Sequence, residues 1–497
     1  MILSKIRIFI DSKSKKICNI QPINKGVEIQ IGKTITVFPK GTFVLPGFVD
    51  SHIHFFGVGE TSQMPNFSDC HNEDDMIDII KLSSFRRGEW IVGFGWNQEK
   101  FHKKDYPSKQ PFDKAFPDTP IYLKRIDGHS ALINTVAAKK IGISNKSINP
   151  SGGIIVKDEY GVFSGILIDN AMELVQSKLP FYSNLQIKTI IESSQTTLSQ
   201  LGITEVYDMD FYPELFEYFS NNRNKFAIRI NSFVKSQNDE WKGICELPKK
   251  NGLWNLIGYK HYLDGALGSR GASLLEKYSD ANTYGIDLLT PNKVETKTKF
   301  ALNNKLSIAI HAIGDKANRV ALQTYSKFSR FKNKMRIEHC QMINSMDLEF
   351  LKRQNIICSV QPIHYVSDTK SGMVQNRIGP KRMIDAYRWK SIINAGGILV
   401  AGSDAPIESP NPFLGINAFV NSDNKNELIT MDEATKAYIA TPHKIYKKNR
   451  GKIEVGYDAD FILINNNFIE NQKSISKTNV LATIVNGNFV FNNGYKQ

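Results

Sequence analysis

Leu45-Pro-Gly-Phe-Val-Asp-Ser-His-Ile-His54 is an apolar run that ends in two histidines, His52 and His54. On a strand, residues two apart project from the same face, so both imidazoles can meet one ion. Alone, a His-x-His pair is weak evidence, because two histidines in this spacing are common without metal. Its meaning depends on where the strand sits in the fold.

Seven further runs rich in Ile and Val follow: Ile203 to Met209, Phe226 to Val234, Leu256 to Leu263, Ser307 to Ile313, Met335 to Gln341, Ile357 to Gln361 and Ile398 to Ser403. Helical stretches separate them, the alternation of a parallel sheet wrapped by helices. With Val44 to His54 they make eight, which predicts an α/β fold, a (β/α)8 TIM-type barrel. Enzymes on that fold carry their chemistry at the C-terminal ends of the strands.

Those ends carry ligand-type residues. His311 follows the fifth run, His339 lies in Arg336-Ile-Glu-His-Cys340, and Asp404 follows Gly402-Ser403 after the eighth. Each has a plainer alternative. A lone histidine after a strand is often a hydrogen-bonded structural residue, and an aspartate after Gly-Ser often caps a turn. Four histidines and an aspartate at the ends of strands one, five, six and eight are a specific combination.

Between the first and second strands, residues 57–180 are too long for a βα loop and predict an insertion with its own structure. It reads as mostly β, with Glu89 to Asn97, Pro120 to Ile126 and a hairpin in Gly153 to Gly165. Ile187, Ile190, Ile191, Leu198 and Leu201 then fall at helical spacing before Gly202, predicting the first barrel helix. Both ends of the chain are β-like and short of core. Paired, they would make a small β-sandwich. The expected domains are a sandwich from 1–44 plus 445–497, a barrel from 45–60 plus 181–444, and an inserted subdomain at 61–180.

The 497 residues are 41% hydrophobic and 23% charged, enough for a sizeable core. Lys5, Arg7 and Asp11 interrupt the apolar start, so no signal peptide is expected, and no uncharged run approaches a membrane span. The 5 cysteines are scattered and form no C-x-x-C pair, which argues against a disulfide framework or thiolate zinc site. The cytoplasm is the expected compartment. A formal net charge of +14 suits anionic partners. The lysines, however, are spread along the chain without a basic tract, so the expected partner is a small-molecule substrate, with no nucleic acid and no membrane. Assembly is not decided by the sequence, with a homodimer favoured.

The His-x-His strand, the later His311, His339 and Asp404, and Gly456-Tyr-Asp-Ala-Asp-Phe461 together resemble the metal-dependent amidohydrolase superfamily. The finer similarity is to its YtcJ-like branch, amidohydrolase family 3. It is carried by Gly95-Trp-Asn97, Arg125-Ile-Asp-Gly-His129, Lys260-His-Tyr-Leu-Asp-Gly-Ala-Leu-Gly-Ser-Arg270, His311-Ala-Ile-Gly-Asp-Lys-Ala317, Ile337-Glu-His-Cys-Gln341 and Gly402-Ser-Asp-Ala-Pro406. The resemblance covers nearly the whole chain. It implies that His52, His54, His311, His339 and Asp404 are metal ligands and that Lys260 carries a CO2-derived carbamate bridging two ions. An unmodified Lys260, paired with Asp264 or exposed, is the alternative, and would leave a single ion. Trp96, Asp127 and His129 occupy motif positions that imply a pocket mouth, and Arg270 is a further substrate-binding candidate. Structural packing is the alternative for these four. The usual Asp-Gly-Arg-Ile turn near the N-terminus is not apparent.

Imidazole and carboxylate donors without thiolate suit Zn2+, with Mn2+, Fe2+ or Co2+ as substitutes. Such an ion acidifies bound water and polarises a carbonyl. Asp404 would take the water's proton and pass it to the departing nitrogen. The resemblance implies hydrolysis of a non-peptide C–N bond in an N-substituted amide, formamide or cyclic amide. An esterase or deaminase on the same barrel, or a binding protein that has lost activity, are the alternatives.

Overall fold

Gly47 divides what reads in the sequence as one long first strand. Phe43–Pro46 and Phe48–Ile53 are separate strands in separate sheets. A Cβ at Gly47 would lie 2.1 Å from the Thr204 side chain, so only glycine lets the chain cross there from one sheet to the next.

The computed structural model describes residues 2–126, 128, 130–150, 152–236, 252–331, 333–352 and 356–495. They fall into two compact units, one of Met1–Phe55 with Gln195–Gln497 and one of Phe56–Ser194. Among the described residues no helix is long and apolar enough to cross a membrane.

The first unit holds an eight-stranded sheet: β1 (Phe48–Ile53), β2 (Ile203–Phe211), β3 (Arg229–Lys235), β4 (Trp254–Tyr262), β5 (Ser307–Ala312), β6 (Met335–His339), β7 (Ile357–Val360) and β8 (Ile398–Ala401). Each strand pairs in parallel with the next in chain order. Helices such as Pro291–Asn303, Asp315–Ser326 and Pro362–Lys370 lie between successive strands, as crossovers between parallel neighbours require. This is the predicted TIM-type barrel. Glycine stops the helix Asn184–Gln200 where expected, Gly202 taking φ +79°.

The barrel closes without a regular β8–β1 ladder. Asp404 N donates to His52 O at 2.7 Å and His54 N to Ala405 O at 2.9 Å. Buried Asp50 on β1 accepts from Ser403 N (3.1 Å), Ser403 Oγ (2.6 Å) and its own neighbour His52 N (3.1 Å). Burial raises the Asp50 carboxyl to about 6 in spite of these donors. Gly402 stands where the strands come closest.

Both ends of the chain form two four-stranded sheets. One has the order Ile17–Pro22, Ile6–Ile10, Val27–Ile31, Thr34–Phe38; the other is antiparallel, in the order Asn488–Asn492, Val480–Val485, Phe461–Ile464, Phe43–Pro46. Alternate residues of the two sheets, among them Ile8, Ile29, Phe461 and Ile484, are buried in one common core, the sandwich expected from the termini. Its base is tied to the barrel by ion pairs: Arg229 Nε to Asp460 at 2.6 Å and Arg450 to Glu205 at 2.8 Å.

The second unit carries a five-stranded sheet in the order Gly153–Lys157, Phe163–Asp169, Ser130–Ile133, Ile121–Arg125, Ile91–Trp96. The hairpin and the strands Ile121–Arg125 and Ile91–Trp96 lie where the sequence predicts, whereas Ser130–Ile133, which joins them, was not read from it. Helices Glu73–Leu82, Gln110–Ala115 and Thr135–Ile141 accompany them. The first has a polar exposed face and an Asn72 cap that accepts Asp75 N.

The closure at Gly402 is testable by stability. A Cβ there would meet His52 N at 2.3 Å and Asp50 Oδ1 at 2.7 Å, both fixed by the barrel. Gly402→Ala is expected to destabilise by at least about 1–3 kcal/mol, read as a lowered melting temperature in thermal unfolding followed by circular dichroism. An unchanged melting temperature would show that the seam yields.

Candidate metal centre

At the C-terminal end of the barrel the ligand-type residues converge. One ligand atom each from buried His52, His339 and Asp404 lies within 4.8 Å of the others. Asp404 Oδ1 is 3.0 Å from His54 Nε2 and 3.3 Å from His52 Nε2. The His311 ring lies 4.4 Å from that of His339, which is 4.8 Å from that of His52. The structure therefore brings His52, His54, His311, His339 and Asp404 together from β1, β5, β6 and the segment after β8.

The donor set fits a divalent ion. Nε2 of His52 and Nε2 of His311 are buried without a well-formed hydrogen bond, His311 Nε2 lying 3.5 Å from Asp264 Oδ1, and Asp404 Oδ1 meets only the nitrogens of His52 and His54. Unsatisfied buried polar atoms are costly and rare, and their gathering in one cluster calls for a group that takes lone pairs. Imidazole nitrogen and carboxylate oxygen are zinc-type donors. Two of the residues are held in the left-handed region, His339 at φ +75° and Asp404 at φ +59°. Such positions cost energy in non-glycine residues and are kept where the surroundings enforce them.

A second layer sets the rings. His52 Nδ1 is 2.7 Å from Glu338 Oε2, and Arg336 holds Glu338 through Nε at 2.8 Å and Nη2 at 3.2 Å. His339 Nδ1 donates to Gln361 Oε1 at 2.8 Å. With Nδ1 occupied, Nε2 of both rings is left to face the centre. Burial works against the Glu338 carboxylate, but Arg336 and His52 outweigh it and hold its carboxyl far below the usual range. Burial, with Lys260 adding to it, depresses His311 to about 3. Burial and the neighbouring His311 and His52 also depress His339, so both rings are in the neutral, ligating form. His54 differs: burial opposes its protonation, but Asp404 outweighs burial and raises it.

Lys260 is buried on β4, with Nζ 4.6 Å from the Tyr262 ring centroid. Its charge is felt at His54, Asp210, His311 and His339, which places it beside the cluster. Pairing with Asp264, the alternative for an unmodified lysine, is not what forms. Asp264 accepts the N–H groups of Ser273 (2.9 Å), Ile313 (3.1 Å) and Gly314 (2.8 Å), bracing two loops.

The expected pocket mouth fares differently. Trp96 is fully buried in the core of the inserted unit, its indole N–H donating to Leu123 O at 2.8 Å. With no exposed face, it is a packing residue and not an aromatic wall. Arg270 is engaged by Asp280 at 2.9 Å and 3.1 Å in a fork-like pair and its side chain stays part-exposed. Asp127 and His129 lie outside the described residues.

Three residues belong to the site without having been assigned a role from sequence. Glu338 escaped because alternation on a strand turns it away from His339, whereas the positive φ at His339 bends the chain and lets both serve the centre. Asp210, at the end of β2, accepts from Tyr262 and leaves Oδ1 buried and unpartnered. His364 stands three residues past Gln361, on the first turn of the helix Pro362–Lys370 that follows β7. Its Nε2 is 3.8 Å from Asp404 Oδ2. The signal available was position alone: a histidine just beyond a barrel strand.

The model of the amidohydrolase family matches residues 40–491, and the chain belongs to that family of hydrolases. YtcJ of Bacillus subtilis (strain 168), which bears an amidohydrolase name, is 31% identical over 478 residues, covering 91% of this chain and 89% of its own. The N-substituted formamide deformylase of Arthrobacter pascens is 21% identical over 485 residues, covering 90% of this chain and 88% of its own. The crystal structure of an uncharacterized metal-dependent hydrolase from Pyrococcus horikoshii OT3 shares the fold, with TM-score 0.76 and 23% identity over 93% of this chain and 98% of that one.

The second layer yields a prediction. Glu338→Gln keeps the size of the side chain and removes the charge that orients His52, so metal affinity is expected to fall about 10–100-fold. Competition with a chromophoric chelator measures it. Unchanged affinity would mean that His52 is oriented by packing alone.

Proposed function

We propose that this chain is a metal-dependent hydrolase that cleaves a non-peptide C–N bond of a small amide-like molecule, an N-substituted amide or formamide or a cyclic amide. The observation that carries the reading is the cluster of four histidines and Asp404 at the C-terminal end of a barrel, with Nε2 of His52 and of His311 buried and unsatisfied. The name of the Arthrobacter pascens relative supports the substrate class.

His52, His54, His311, His339 and Asp404, with Lys260 as its carbamate, would hold one or two divalent ions, Zn2+ first and Mn2+, Fe2+ or Co2+ as substitutes, which when bound acidify water and polarise a carbonyl. The residues of the chain do the rest. Asp404 keeps its carboxyl well below the usual range: burial opposes this, but His52 and His54 outweigh it. It is thus an ionised acceptor, with Oδ1 toward the ligand histidines and Oδ2 turned from them toward His364. Oδ2 takes a proton from the attacking water and returns it to the nitrogen as the C–N bond breaks. Glu338 and Gln361 keep His52 and His339 in fixed orientation through the cycle. Lys260, buried on β4 beside these residues, stands where a carbamate would reach the ions.

Two measurements test this. Elemental analysis of the purified protein is expected to find one or two equivalents of divalent metal, lost in His52→Ala; absence of metal after reconstitution would sink the reading. Lys260→Ala separates the two stoichiometries, lowering two equivalents if the carbamate bridges them. Asp404→Asn is expected to reduce amine release from a panel of N-substituted formamides about 10²–10⁴-fold while metal content falls less. Equal loss of both would make Asp404 a ligand only.

A further inference from the structure

Asp404 presents its two oxygens to different neighbours. Oδ1 faces His54 at 3.0 Å and His52 at 3.3 Å, whereas Oδ2 faces His364 Nε2 at 3.8 Å. That nitrogen is buried and has no hydrogen-bond partner. The His364 side chain is 15% exposed, so the ring lies mostly covered at the edge of the centre.

The backbone at His364 is held at the start of a helix. Pro362 opens its helix, His364 N donates to Gln361 O at 3.1 Å, and the ring lies nearly parallel to that of His339, at 11° and 6.2 Å between centroids. Gln361, one turn back, is the residue that holds His339 Nδ1. One short segment therefore sets both a proposed ligand and the free imidazole beside it.

The position of Asp404 bears on which tautomer of the imidazole fits. Nε2 is the ring nitrogen that faces the carboxylate, and the tautomer with its hydrogen there avoids setting a lone pair against Oδ2. At 3.8 Å the N–H is too far from Oδ2 for a hydrogen bond. An acceptor and a donor thus stand side by side, neither satisfying the other, at the edge of the ligand cluster. An amide under attack needs both: a group to take the water's proton and a donor for the oxygen that gains charge.

We propose that His364 is a further catalytic residue of this centre, donating a hydrogen bond from Nε2 to the substrate oxygen that becomes negative when the carbonyl carbon is attacked. The proposal rests on the hydrolase reading above. In the step, the water oxygen forms a bond to carbon, the carbonyl π pair moves onto oxygen, and the water's proton goes to Asp404. That pair then re-forms the carbonyl as the C–N bond breaks, and nitrogen leaves with the bonding pair and the proton from Asp404. His364 keeps its own proton throughout.

A tetrahedral anion tests this without knowledge of the natural substrate. Methylphosphonate is titrated into the cobalt-loaded protein and binding is read from the visible cobalt spectrum. Wild type is expected to bind it, and His364→Ala to bind about tenfold or more weakly at unchanged cobalt content, the loss of one hydrogen bond to a charged group. His364→Gln, whose amide N–H replaces Nε2–H, is expected to recover most of the affinity. Equal affinity in wild type and His364→Ala overturns the proposal, as does a cobalt-loaded wild type that does not bind methylphosphonate. Loss of cobalt in His364→Ala would make the residue a ligand and overturn it too. A wild type that takes up no cobalt fails at the earlier step, and sinks the metal reading along with this one.

Discussion

The carboxylate of Asp50 joins the last barrel strand to the first. It takes two hydrogen bonds from Ser403 and one from His52 N, across a seam that has no regular ladder. Asp404 follows Ser403 directly, and its own N–H returns to His52 O. The positions of His52, His54 and Asp404 are therefore consequences of how the barrel closes. A ligand cluster built elsewhere on the rim would tolerate a looser join. Here a shift of the seam by a fraction of an ångström would move three of its members relative to His311 and His339.

The electrostatics of the site follow from that geometry. His311 and His339 sit deep among other cationic groups, where burial keeps them neutral. His54 sits against Asp404 and is pushed the other way. Glu338 and Asp404 resist burial because guanidinium and imidazole stand beside them. Each charge in the centre has a compensating neighbour, the condition for holding ions in a dry interior.

Much of this was legible in the sequence, for physical reasons. Parallel strands buried on both faces read as continuous apolar runs, so all eight barrel strands were visible. The residues of the cluster were legible because each lies at a strand end. What could not be read depended on tertiary packing. Trp96 matched a motif, yet nothing in its spacing told whether its indole faced a pocket or a core. Arg270 carried no sign of Asp280 as its partner. The break at Gly47 was hidden because the residues on both sides are equally apolar, and only the Thr204 side chain reveals it. Glu338 was given no role because a regular strand was expected up to Gln341, and the left-handed turn at His339 ends it earlier.

The sandwich draws one sheet from strands at opposite ends of the chain, Phe43–Pro46 pairing with Phe461–Ile464. During synthesis the early strand leaves the ribosome more than four hundred residues before its partner. Until then the apolar face around Ile8, Ile29 and Val44 has nothing to cover it, and such faces are where nascent chains aggregate or recruit chaperones. Completion of this module is thus a late event in the life of the polypeptide, and truncation near the C-terminus strips cover from residues made first.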